Sequence, residues 1–183
     1  MSRRRWALLA AAVAVVGATA ALLIFQPWLL WIDVRVDDEL PDAAAPSPSS
    51  TATPSETPSA PTEPVLVASG EFISHEHTTT GEVTVIERAD GSRALAIAAL
   101  DTSNGPDLHV WLSAADVIPG IEGWRTAADA EHLTLGPLKG NVGDQLYEIP
   151  AGADLSLYRS ITIWCEQFSV SFGAAQLTPA ASA

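Results

Sequence analysis

The chain has 183 residues, 48% of them hydrophobic, and a single cysteine, Cys165. From residue 33 onward six basic residues face 22 acidic ones, a formal charge of −16. A surface this acidic repels nucleic acid, anionic glycans and anionic headgroups and excludes a polyanion-binding role. The lone cysteine excludes an intrachain disulfide.

Met1-Ser2-Arg3-Arg4-Arg5 leads into an uncharged run over 6–32. As helix that run reaches roughly 40 Å, against a hydrocarbon core of roughly 30 Å. Gln26-Pro27 marks the exit, and Trp28 and Trp31 stand where interfacial aromatics belong. The arginines hold 1–5 as a cytoplasmic stub. A single-pass anchor in the cell membrane is expected over 6–32, with everything after it outside the cytoplasm. The rival is a cleaved signal peptide, with Ala18-Thr19-Ala20 as the cleavage pattern. Cutting there would leave the apolar 21–32 as a new N-terminus, so the anchor is the preferred reading.

Seven of the 13 prolines fall in 33–64, among Ser, Thr, Ala and a few acids. Too little apolar surface is present there to offset chain entropy, so 33–64 is expected to be a linker. The remaining 65–183 suffices for one domain with its own core.

Period-two alternation dominates this domain. The valines of Gly81-Glu82-Val83-Thr84-Val85-Ile86-Glu87 share a face, and Ala89-Asp90-Gly91-Ser92 turns the chain into Arg93-Ala94-Leu95-Ala96-Ile97-Ala98. After the turn Asn104-Gly105-Pro106-Asp107, Leu108, Val110 and Leu112 alternate with His109, Trp111 and Ser113. A longer excursion over 114–130 contains a short helix near 126–130; 136–144 is a loop and 145–149 a strand. The expected fold is all-β, an antiparallel β-sandwich of seven to nine short strands.

In Ile161-Thr162-Ile163-Trp164-Cys165-Glu166-Gln167-Phe168-Ser169-Val170-Ser171-Phe172 the pleat points Ile161, Ile163 and Cys165 inward and Trp164 outward. Phe168, Val170 and Phe172 carry the apolar set beyond. The phase flips at Glu166-Gln167, which calls for a bulge or bend. Cys165 is either a packed core residue, a ligand or a reactive thiol. An acidic setting disfavours the last, because thiolates need nearby positive charge.

His75 and His77, two apart, would share a strand face and form a chelating pair for a metal, with His109, Cys165 or Glu76 completing the set. Edge histidines are the alternative. No phosphate-cradling loop, covalent haem-attachment motif, nucleophile elbow or zinc-protease helix occurs, so no hydrolase constellation is present.

Four strings resemble the DM-thirteen domain, a family of electron-transfer modules: His77-Thr78-Thr79-Thr80-Gly81; Thr102-Ser103-Asn104-Gly105-Pro106-Asp107-Leu108-His109-Val110-Trp111; Leu135-Gly136-Pro137-Leu138-Lys139-Gly140-Asn141-Val142-Gly143-Asp144; and Trp164-Cys165-Glu166-Gln167-Phe168-Ser169-Val170. The resemblance spans roughly 70–177. It implies an all-β domain whose cysteine, here Cys165, acts in redox as a bare thiol or as ligand to a prosthetic group such as haem. His109 is then the second cofactor-binding candidate, as an axial ligand or a residue orienting one. Cofactor choices left open are haem, a metal, or none. The module stands beside cytochrome-linked domains in animals and plants, so the electron partner here is expected to be a separate redox protein. The function expected is a redox accessory module rather than a stand-alone enzyme. A non-catalytic surface binding or scaffold module with Cys165 as core is the alternative.

Overall fold

The computed structural model describes residues 3–41 and 63–180. Most of the expected linker, 42–62, lies outside the described residues. Helix α1 (Arg3–Phe25) buries none of its side chains. Its length and composition would let it cross a membrane, a property shared by membrane spans and signal sequences. It stops where Gln26 turns left-handed, at φ 41°, before Pro27, and a single 3-10 turn, Pro27–Trp31, follows.

The strands are β1 (Arg35–Asp37), β2 (Val65–Ser74), β3 (Thr80–Glu87), β4 (Arg93–Asp101), β5 (Leu108–Ser113), β6 (His132–Pro137), β7 (Val142–Ile149), β8 (Ser160–Cys165), β9 (Val170–Gln176) and β10 (Thr178–Pro179). The all-β class holds. Two separate antiparallel sheets are replaced by one curled sheet in the order β1-β7-β4-β3-β2-β9-β8-β5-β6, with β10 added to β2. The curl is made by β2. Residues 65–71 pair with β3, and Phe72, Ile73 and Ser74 then pair with β9, so one strand serves both halves. The sheet is mixed because β1 runs parallel to β7.

Alternation places the core as expected. Val83, Val85, Leu95 and Ile97 from one half meet Val110, Leu112, Ile161, Ile163 and Cys165 from the other in a single cluster. On the outer face of β5 and β8, Trp111 and Trp164 stack at 4.8 Å between ring centroids. The excursion after β5 covers them through Ala127, in the short helix α2 (Thr126–Asp129).

Four expectations are corrected or narrowed. Arg35–Asp37, assigned to the linker by composition, is an edge strand, and the Gly140-Asn141-Val142-Gly143 loop is shaped to receive it. A Cβ on Gly140 would run into the Val34 carbonyl, and one on Gly143 into that of Val36. Gly143 also has φ 103°, a conformation open to glycine. Second, of the bulge or bend expected at Glu166-Gln167 the fold makes the bend, as the turn of a hairpin between two strands. Cys165 pairs with Val170 across residues 166–169, with Ser169 left-handed at φ 51°. The bulge lies between Ile163 and Trp164, whose partners Gly173 and Ser171 skip Phe172. Third, Phe168 is not inward; it sits in the turn, 41% exposed. The loop expected over 136–144 is narrower too, since β6 runs to Pro137 and β7 starts at Val142.

Candidate functional site

Cys165 ends β8 fully buried, paired with Leu108 on one side and Val170 on the other. Burial pushes its thiol above the ordinary value, and the Asp107 carboxylate adds to this; the backbone N–H groups of Phe168, Gln167 and Asp107 pull the other way. Three amides therefore favour a negative sulfur, but desolvation wins.

His109 is directly opposite Trp164 and so occupies the other face of the sheet from Cys165. Its Nε2 lies 2.9 Å from Asp107 Oδ1. Hence the fold does not bring His109 and Cys165 to one ligand. His75 and His77 also diverge, because the chain bends after β2. His75 Nδ1 bonds Ser171 Oγ at 2.7 Å, while its Nε2 is buried without a partner among the described residues. Burial lowers the His75 pKa, against the nearby Ile118 carbonyl. His77 Nε2 pairs with Glu76 at 2.6 Å, and its ring lies against Phe172, centroids 4.0 Å apart.

A haem or metal at Cys165 does not fit these surroundings. Cys165 belongs to the aliphatic core cluster drawn from both halves of the sheet, and His109 stands on the other face. Among the described residues no three His, Cys, Asp or Glu side chains converge to hold a metal ion.

What converges instead are the loops at one end of the domain. Thr79, 1% exposed, contacts Thr102 Oγ1 at 2.8 Å and donates to the Phe172 carbonyl at 3.1 Å. The Thr102 N–H donates to the Asn141 carbonyl at 3.0 Å, and Asn141 Nδ2 donates to the Thr102 carbonyl and to Asp33 Oδ1, each at 2.8 Å. Asn141 Oδ1 accepts the Val34 N–H at 2.7 Å. Lys139 Nζ pairs with Asp38 at 2.5 Å and holds that carboxyl below the usual range. These bonds dock 33–38 onto the domain beside the exit of α1.

The α1 end also touches the Cys165 hairpin. Phe25 stacks on Phe168, with rings 7° from parallel and centroids 6.1 Å apart, and Gln167 Nε2 donates to the Ile24 carbonyl at 2.8 Å. Asn104 Nδ2 donates to the Ile32 carbonyl at 3.1 Å. Between these contacts opens a cleft of about 500 Å³, walled by the exit of α1 and by residues of four loops and of β9, among them His77, Asn104, Trp124, Phe168 and Phe172. Volumes of this order, roughly 300–1,000 Å³, are usual for small-molecule sites.

The profile of the electron transfer DM13 family matches residues 71–177, more than half of the chain. The chain belongs to the electron transfer DM13 family. No curated protein and no solved structure matches it. The DM13 match contains Cys165 and every loop that closes the cleft except the exit of α1. Sequence reasoning reached Cys165 and the histidines but missed Trp124, Asn141 and Phe168 as parts of this end. The four family-like strings were the available signal, since their loops meet here.

Proposed function

We propose that this DM13 protein is a membrane-anchored electron-transfer accessory module, with its domain outside the cytoplasm and Cys165 as its redox residue. The match over 71–177 carries the reading. The arginines preceding the apolar helix support the anchor and its orientation. Support for Cys165 comes from its position: its cross-hairpin partner Val170 lines the cleft, so the sulfur stands one layer behind that wall. The three backbone amides favour a charged sulfur, as anion-binding backbone does elsewhere. Electrons would pass to or from a separate redox protein.

A second reading is a surface binding module in which Cys165 only packs. Full burial and the raised thiol pKa favour it. Voltammetry of the full chain in lipid nanodiscs, with metal content and visible spectrum recorded alongside, separates the two. The electron-transfer reading expects a reversible wave that is lost or shifted in a folded Cys165→Ser chain. A silent wild-type chain, or a wave unaltered by Cys165→Ser, would overturn Cys165 as the redox residue.

A further inference from the structure

The cleft has a feature that electron transfer alone does not require: one wall is the end of the apolar helix and the 3-10 turn that follows it. Phe25, Pro27 and Leu29 form that wall, and Phe168 stacks on Phe25. If α1 spans the bilayer, the cleft opens at the membrane surface, and a ligand reaches it from the lipid phase rather than from water.

The lining narrows the ligand's chemistry. Phe25, Phe168, Phe172 and Trp124 give it flat aromatic walls, suited to stacking a planar ring. The lining also offers hydrogen-bond donors beside the Glu76 carboxylate. Arg125 is exposed with no ion-pair partner among the described residues, His77 adds an imidazole whose Nε2 pairs with Glu76, and the Trp124 indole N–H lies buried behind this lining without an acceptor among them. An anionic headgroup is disfavoured by Glu76 in the same wall and by the acidity of the domain. A neutral ring bearing carbonyl oxygens satisfies all three constraints.

We infer that this cleft binds the head ring of a membrane-dissolved quinone, with its tail lying along the exit of α1. The inference rests on the proposed electron-transfer role and membrane anchor, and deepens them by naming the small-molecule partner. Only binding is assigned; the ring lies against the aromatic wall and a carbonyl accepts from the Arg125 guanidinium.

The test uses the full chain in phosphatidylcholine nanodiscs and a photoactivatable short-chain ubiquinone, with labelled peptides mapped by mass spectrometry. Labelling of peptides containing Trp124 and residues 166–172 is expected, reduced at least fivefold by excess ubiquinone-1. The same loss is expected in a Phe168→Ala/Arg125→Ala chain, whose changes are at exposed positions and whose fold is checked by circular dichroism. Labels confined to 3–25, or indifferent to ubiquinone-1 and to the double substitution, would overturn the site. So would a photoactivatable phosphatidylcholine that marks the same peptides and is not displaced by ubiquinone-1. Failure of labelling in a chain that gives the voltammetric wave removes the quinone alone. Competed labelling in a redox-silent chain keeps the site and removes the electron-transfer reading.

Discussion

The interior of the domain and its end beside α1 are held together by different physics. The interior is aliphatic: Ile161, Ile163, Val83 and Leu95 are wholly buried, and Cys165 sits among them. At the α1 end, polar side chains are buried and paired. Thr79, Thr102, Asn141 and Gln145 are each 4% exposed or less, and their bonds join segments up to 108 residues apart in sequence. Apolar packing is non-directional and tolerates exchange of similar volumes. A buried polar network specifies one geometry, because an unpaired member costs more than its bond contributed. The interior therefore keeps the domain folded, whereas the polar end fixes the shape of the cleft and the course of the chain leaving α1.

The sharpest way to break the contrast is in the interior. Ile163→Ala should cost about 2–5 kcal/mol and lower every probe of folding together, measured by urea unfolding of the full chain in detergent. At the polar end, Asn141→Ala orphans the Val34 N–H and removes the donor to Thr102 and Asp33. A loss of about 3 kcal/mol is expected there. Hydrogen exchange should show it as local, with the amides of Val34 and Asp38 deprotected before those of Val85 and Ile163. Uniform deprotection would erase the distinction between the two regions.

A pH titration probes the seam where the two meet. Tyr147 belongs to the core cluster, yet its hydroxyl donates to Gln145 Oε1 at 2.7 Å. Burial pushes its phenol up to about 12, with the Lys139 N–H opposing and Asp38 adding. The folded state then holds this proton more tightly than the unfolded state, whose value is near ~10. The stabilisation is whole below about pH 10 and is lost between about pH 10 and 12, on the order of 2 kcal/mol. Tyr147→Phe should remove that alkaline loss from the unfolding curve. The smallest effect belongs to the surface: Asp107→Asn, which breaks the half-exposed pair with His109, should change stability by less than about 1 kcal/mol. A larger loss in thermal unfolding would mean that the pair braces the Cys165 hairpin, whose Glu166 N–H bonds the Asp107 carbonyl.

Legibility in the sequence follows the same divide. Alternation in 83–86, 108–112 and 161–165 reveals the inward residues, since a pleat repeats every two residues whatever its neighbours are. The bend after Cys165 was visible as a phase flip, but its identity as a four-residue hairpin depended on the pairing of Cys165 with Val170. Arg35–Asp37 sits in an alternating run, Ile32-Asp33-Val34-Arg35-Val36-Asp37, too short to define a strand without its partner. It becomes a strand because Gly140 and Gly143 leave room for its carbonyls and Asn141 supplies its bonds.

An all-β domain behind an apolar helix, the inward face of Cys165 and, through four short strings, the DM13 family are all legible along the chain. These follow from local periodicity, composition and motif, which need no knowledge of the partner strand. Only the tertiary structure decided that His109 and Cys165 stand on opposite faces, that His75 and His77 part, and that four distant loops close a cleft against α1. Strand register and the curl of β2 set those relations, and both arise from long-range pairing that no local pattern encodes.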